Sequence, residues 1–332
     1  MARPPTEAGE PFARRWSRRA LTLSSYAILC LLLLVLSPLA LPILALVDLG
    51  RRAQLGATRF WLMVTVYFVL EVVGVAGAFA VWVAGGPRFL DRNYRLQRWW
   101  VRALFFTGAR LYRLVITVEG AELAAQGPML LFVRHVSLID ALLPTVFVSD
   151  QAGIRLRFVL KAALLFDPCL DIVGQRIPNV FVRRGREAFE REVAAIAGLA
   201  RDLQAEDGVI IFPEGTRNSS QMRPKIRADL EARQDPTALA RMDELKHVLP
   251  PRVGGLKALL GRGAGADPVF LGHRGLESVR RFGDLLSGRL VGAQVAIKFW
   301  REPSASVPTE EAAALAWFHE QWKRLDRWVG QG

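Results

Sequence analysis

Residues Val133 to Pro144 read Val-Arg-His-Val-Ser-Leu-Ile-Asp-Ala-Leu-Leu-Pro, and the five residues from Met129 to Val133 are all apolar. The apolar run has the length of a buried strand, and the residues after it can wind as a helix. His135 and Asp140 are five positions apart, well over a right angle round a regular helix, so a helix cannot put them on one face. A strand-to-helix turn can. There the histidine stands at the sheet's edge, and Asp140, in the first turn of the next helix, bends back to accept a hydrogen bond from the imidazole. That bond selects the tautomer and leaves the other ring nitrogen as a base.

The 332-residue chain is 52% apolar, and the excess lies near the N-terminus. Cys30 and Cys169 are its two cysteines, far apart and without metal-ligand spacing, so neither a disulfide framework nor a zinc site is indicated. A net charge of +13 suits either nucleic acid or an anionic membrane surface. The excess of arginine over lysine points to a bacterial source with a GC-rich genome.

No charged residue occurs from Ala20 to Val47, a stretch long enough to span a bilayer core. It is too long for the apolar region of a signal peptide, and no small-residue cleavage site follows it. Pro38 and Pro42 are expected to kink it, which leaves a full span and a bent, re-entrant arm both open. A second apolar stretch runs from Phe60 to Ala84, interrupted by Glu71, which is expected to face the first helix or an interface. Arginines flank both stretches: Arg14, Arg15, Arg18 and Arg19 before, Arg51, Arg52 and Arg59 between, and Arg88, Arg92, Arg95, Arg98 and Arg102 after. The bias places both ends on the cytoplasmic side. The last five form a helical stripe, with Phe89, Leu96, Trp100 and Leu104 largely opposite, the pattern of a helix lying on a membrane with its aromatics at headgroup level. A membrane surface is therefore the expected partner, and nucleic acid is not.

Beyond Leu111, strand-like runs appear at 114–118, 129–133, 156–160, 179–182, 209–212, 268–272 and 294–300. Helical patterns separate most of them, notably 187–205 and 310–329. The expected fold is α/β, a mostly parallel sheet covered by helices and preceded by an N-terminal two-helix membrane hairpin. The divisions are a basic tail (1–19), the hairpin (20–84), an interfacial basic helix (85–110) and a soluble domain (111–332).

A second chemical stretch, Ile-Ile-Phe-Pro-Glu-Gly-Thr-Arg, occupies residues 210–217. It delivers Glu214, Gly215, Thr216 and Arg217 at a strand's C-terminal edge, where sheets of this class bind ligands. Arg217 offers a fork suited to phosphate, Thr216 a hydroxyl, and Gly215 a close backbone approach; Glu214 can hold a substrate hydroxyl or orient the arginine. A third stretch, 177–184, ends with Arg183 beside Arg184.

In this order and spacing the three stretches resemble the motifs of the glycerolipid acyltransferase family, which includes 1-acylglycerol-3-phosphate acyltransferases. His135 and Asp140 match its first motif, with Ser137 at a commonly polar position. Residues 178–184 resemble the second, which puts Arg184 in the substrate-binding place, and residues 212–217 match the third throughout. Leu249, Pro250 and Pro251 resemble the fourth, and residues 161–168, beginning at Lys161, resemble a segment usually found between the first and second. Leu-Lys-His-Val-Leu-Pro-Pro-Arg and the tryptophans around Trp317 and Trp322 are similar to the lysocardiolipin and lysophospholipid branch. Arg134 stands where the family usually has Asn, and Arg183 where it often has Asp, both adding positive charge beside the site.

The resemblance implies a membrane-bound enzyme in which His135, oriented by Asp140, deprotonates a lysophospholipid hydroxyl that attacks an acyl thioester without an acyl-enzyme. It implies acyl-CoA or acyl carrier protein as donor, no cofactor or metal, and 1-acylglycerol-3-phosphate as acceptor, with lysocardiolipin, another lysophospholipid or a lyso-ornithine lipid as alternatives. The substrate phosphate falls to Arg217 and Arg184, and the inner cell membrane, with the catalytic domain facing the cytoplasm, is the implied location. A non-catalytic membrane lipid-binding protein of the same fold would keep the arginines without needing His135 or Asp140.

Overall fold

Met-Leu-Leu-Phe-Val at 129–133 leaves no side of a strand for water, so this strand demands cover on both faces. None of the five residues is more than 2% exposed. The computed structural model describes residues 10–182, 189–219, 221–261 and 265–331. Its elements follow as α1 (Phe12–Arg51), α2 (Gly56–Ala84), α3 (Phe89–Leu111), β1 (Val115–Glu119), β2 (Met129–Val133), β3 (Arg155–Lys161), α4 (Pro168–Ile172), β4 (Val180–Val182), α5 (Phe189–Leu199), β5 (Asp207–Ile211), α6 (Met222–Ala232), α7 (Pro236–Asp243), α8 (Val253–Leu260), β6 (Asp267–Arg274), β7 (Gln294–Arg301) and α9 (Glu311–Val329). The fold is α/β with a mostly parallel sheet, as the alternating pattern implied.

β2 coincides with the apolar run residue for residue, and the other strands differ from their sequence patterns by a residue or two at the ends. The helix expected over 187–205 ends at Leu199, just past Gly198, and Asp202 takes a left-handed conformation. The polar stretch after Asn218 winds into α6 and α7.

The chain forms two compact units, and one of the boundaries between them falls inside β3. The second unit comprises residues Ile116–Leu156, Ile196–Arg281 and Gln294 onward, with strand order β1-β7-β6-β2-β5. β2 lies parallel to both neighbours, pairing Phe132 with Ile211 of β5 and with Phe270 of β6. β7 runs antiparallel to β6. The core over this sheet is aromatic: the Phe318 ring of α9 lies 4.8 Å from Phe132 and 5.6 Å from Phe270 and stacks on Trp322 at 5.7 Å. α9 starts cleanly because the Glu310 carboxylate accepts from the amides of Ala312 and Ala313.

In the first unit β3 and β4 pair in parallel, and α1 to α3 pack together. α1 runs as one helix through Pro38 and Pro42, and Ser37 Oγ donates to the Leu33 carbonyl beside them. Asp48 near the end of α1 accepts from the Ala57 and Thr58 amides at the start of α2, a cap supplied by the neighbouring helix.

Glu71 corrects the sequence reading. It is 0% exposed and faces α4, not α1, accepting from the Cys169 amide at 3.1 Å. Close by, Tyr67 donates to Asp167 at 2.7 Å. Hydrogen-bonded burial explains how an acid survives in this apolar run. α3 also departs from expectation. Leu96 and Trp100 pack against α2 at Gly77 and Gly74, where the missing side chains make room, so this apolar face is covered by protein and not turned to lipid. Trp100 is 6% exposed and Trp99, on the outer side, 43%.

By length and composition α1 and α2 could each cross a membrane. α1 leaves Leu21, Ile28, Leu31, Val35, Leu39 and Leu46 more than half exposed, a large apolar surface for any soluble chain. Membranes carrying the full chain should therefore retain it through high-salt and carbonate washes, because salt screens charge but does not restore water to apolar surface. Release into high salt would mean that these faces are covered by protein instead.

Candidate active site

Parallel register builds the site. Phe132 of β2 is level with Ile211 of β5, so His135 and Glu214, each three residues further on, leave the same edge of the sheet side by side. The turn after β5 crosses back over the first: the Asn218 amide donates to the His135 carbonyl at 2.8 Å, and the Phe212 ring lies 4.6 Å from the imidazole.

His135 Nδ1 stands 3.0 Å from Asp140 Oδ1. Asp140 Oδ2 accepts from the Val136 and Ser137 amides at 2.6 and 2.7 Å. The Ser137 hydroxyl accepts in turn from the Ile139 and Asp140 amides, closing a tight loop. Asp140 therefore lies in a turn ahead of the helix and not in its first turn, since the following π-helix covers Thr145–Asp150. A five-residue loop brings the carboxylate back onto the imidazole without any helical geometry. Burial opposes ionisation of Asp140, yet its bond to His135, the electrostatic influence of the His135 and His273 imidazoles and the Ser137 amide hold it below the usual carboxylate range. An ionised Asp140 can only accept, so Nδ1 carries the proton and Nε2 of the neutral ring is the basic nitrogen. The imidazole itself is partly exposed, its side chain at 15%.

Gly215 adopts φ +63 and a Cβ there would stand 2.5 Å from the Arg252 side chain, so the turn needs glycine both for its backbone and for the arginine laid across it. The Arg252 amide donates to the Pro213 carbonyl, joining the Pro250–Pro251 segment to this turn. Arg217 is half-buried, with one guanidinium nitrogen on the Arg280 carbonyl at 2.8 Å. Thr216 is 7% exposed and Glu214 1%, so the glutamate lies inside the protein, where neither carboxyl oxygen has a well-formed hydrogen bond. Burial pushes its carboxyl well above the ordinary range; the Arg134 charge and the nearby amides of Leu249 and His135 only partly offset this, and the Asp140 charge adds to it.

The structure brings together His135, Ser137, Asp140, Glu214, Gly215, Thr216 and Arg217, all in the second unit. Lys161 ends β3 in the first unit and is exposed. Arg183 and Arg184 lie outside the described residues. Arg134 does not face outward as added positive charge: it is 2% exposed, and it donates to Glu277 Oε1 and the His273 carbonyl, each at 2.6 Å.

His273, Glu277 and Asp326 escaped the sequence reading. Asp326 of α9 accepts from the amides of Lys246, His247 and Val248, and the His247 carbonyl so positioned receives Arg134 and Asn218. The one available signal was Gly-His-Arg closing β6, a polar pair at the end of an apolar strand as in Val-Arg-His after β2.

A parallel sheet with a His–Asp pair and an anion-suited turn on one edge defines the class that comparison with known proteins makes explicit. The sequence model of the Acyltransferase family matches residues 115–258, which contain both. The structure is similar to that of the 1-acyl-sn-glycerophosphate (LPA) acyltransferase PlsC from Thermotoga maritima, with a TM-score of 0.52 and 18% identity over 84% of this chain and 97% of that one. No curated protein matches the sequence. Residues 115–258 therefore form an acyltransferase-type domain, on a fold similar to that of an acyltransferase of known structure.

Gly215→Ala should destabilise the protein by about 1–2 kcal/mol, the cost of a left-handed conformation for a residue with a Cβ. Chemical denaturation measures this directly, and an unchanged midpoint would show that the turn relaxes.

Proposed function

We propose that the protein is a membrane-bound O-acyltransferase that moves a fatty acyl group from acyl-CoA or acyl carrier protein to the free hydroxyl of a lysophospholipid, with 1-acylglycerol-3-phosphate as acceptor and phosphatidic acid as product. The observation that carries this reading is the 3.0 Å pair of His135 Nδ1 and Asp140 Oδ1 beside the Glu-Gly-Thr-Arg turn. His135 Nε2 takes the proton of the acceptor hydroxyl as its oxygen attacks the thioester carbon. The tetrahedral intermediate collapses by breaking the carbon–sulfur bond, and the proton passes from His135 to the departing thiolate. Asp140 stays ionised and stabilises the transient imidazolium. No step calls for a cofactor or metal.

Arg217 is assigned to the acceptor phosphate, since its guanidinium keeps donors beyond the single one spent on Arg280. Arg184, Arg183 and Lys161 are assigned to the same anionic substrates by their motif positions alone.

The apolar surface of α1 supports attachment to the inner cell membrane with the catalytic residues facing the cytoplasm. Contacts within the first unit favour an arm lying in one leaflet over a crossing. α2, about 44 Å long, meets the Leu286 carbonyl at Gly56, the Cys169 amide at Glu71 and the Arg176 guanidinium at the Ala78 carbonyl, polar groups spread over most of its length. Such groups do not sit in hydrocarbon on the lipid side of a span.

His135→Ala should lower acyl transfer by a hundredfold or more without unfolding the protein, and Asp140→Asn should be severely impaired because it favours the wrong tautomer. Purified folded variants assayed with lysophosphatidic acid and acyl-CoA decide this, and near-normal turnover of His135→Ala removes the mechanism. In the same assay Arg217→Lys should raise the acceptor KM although the charge is kept, because lysine cannot bind a phosphate bidentately. An unchanged KM would leave Arg217 a structural role.

A further inference from the structure

We infer that His273, locked to Arg134, is a positioning residue for the His135–Asp140 pair, an inference that rests on the acyl-transfer mechanism proposed above. β2 and β6 are parallel with Val133 level with Leu271, so His273, two residues further on, arrives level with His135. It is 0% exposed. Its Nε2 lies 3.0 Å from the Arg134 carbonyl oxygen and 3.6 Å from Asp140 Oδ2. A carbonyl can only accept, so Nε2 carries the proton and donates it to the peptide that precedes His135, and at 3.6 Å its positive end also lies within electrostatic reach of the Asp140 carboxylate.

The contact is reciprocal. Arg134 Nη1 donates to the His273 carbonyl and to Glu277 Oε1, and Nη2 reaches the His247 carbonyl at 3.3 Å. Glu277 is anchored by the Gly275 amide at 2.7 Å. Each of the two residues thus donates to the other's carbonyl, and the loop carrying His135 is stitched to the end of β6. The His273 carbonyl and the Glu277 carboxylate occupy Nη1 of Arg134, while the His273 imidazole holds the arginine's own carbonyl. Among the described residues His273 Nδ1 has no hydrogen-bond partner, and the ring is held from the Nε2 side.

Burial keeps His273 below the ordinary imidazole range, with the Asp140 charge opposing and the Arg134 charge assisting, so the ring works as a neutral dipole. Among the described residues Asp140 has two titratable groups within ion-pair reach, His135 and His273; Arg134 and Glu277 lie behind His273, and Glu214 faces Arg134 and Asp140 from the turn after β5. Losing the His273 N–H leaves the carboxylate less well solvated by the protein, and it then holds the His135 proton more strongly. The acid limb of the kcat profile therefore moves to higher pH, an effect that loss of packing alone would not produce.

The test uses full-length protein in detergent, with wild type, His273→Leu and His273→Gln checked for folding by circular dichroism. Gln keeps an N–H near Nε2. His273→Leu should lower kcat on the order of tenfold with the acceptor KM little changed, since a misplaced base slows chemistry without weakening binding. Its acid limb should move up by a few tenths of a pH unit, and His273→Gln should recover most of both losses. A folded His273→Leu with wild-type kcat and pH profile overturns the inference, as does a glutamine variant no better than leucine. If His273→Leu does not fold, Glu277→Gln takes its place, removing the counter-charge of Arg134; a threefold or greater fall in kcat supports the clamp and an unchanged kcat overturns it. Should wild type transfer no acyl group to any lysophospholipid, the proposed function fails by itself. The clamp is then read from the downfield imidazole proton of His135, identified by its absence in His135→Gln. A resonance that moves or disappears in the folded substitution at 273 or 277 supports the inference, and one that stays in place overturns it.

Discussion

The arrangement depends on keeping one charge where water cannot reach it. The Asp140 carboxylate is 0% exposed, and three hydrogen bonds, from the His135 imidazole and the Val136 and Ser137 amides, stand in for its hydration. A buried charge stripped of a partner costs about 3–5 kcal/mol, so the loop from Arg134 to Asp140 has little freedom to take another path. The same bonds that stabilise the loop fix the imidazole's tautomer. Stability and chemistry here draw on one set of contacts.

That loop would still wander unless its foundations held. β2 is held on both sides by parallel neighbours, and its ends are in register with β5 and β6. The consequence is that three chain segments distant in sequence, ending in His135, Glu214 and His273, emerge along one edge. Asp326 of α9 completes the frame by gathering three successive amides, which positions the His247 carbonyl for Arg134 and Asn218. Behind it the aromatic stack of Phe132, Phe270, Phe318 and Trp322 ties α9 to the sheet.

The first unit solves a different problem, that of holding apolar helices by polar contacts. Arg18 and Arg19 at the start of α1 both pair with Asp171 of α4, which is itself 0% exposed. Tyr67 and Glu71 of α2 add contacts to Asp167 and the Cys169 amide. Hydrophobic attraction alone would let such helices slide, and directional bonds set where they stop.

By itself the sequence determined the strands, the apolar arm and the residues at the strand ends, because those depend on local patterns: apolar runs of strand length, charge-free stretches and motifs with short internal spacing. His135, Asp140 and the Glu-Gly-Thr-Arg turn were legible for that reason. Tertiary structure decided what those residues touch. Glu71 met α4 and not α1, the apolar face of α3 met α2 and not lipid, Glu214 turned inward, and Arg134 spent its charge on Glu277. His273 gave little local sign, since a histidine at the end of an apolar strand becomes Asp140's neighbour only through the parallel register of β2 and β6, a pairing between residues 138 positions apart that no local pattern encodes.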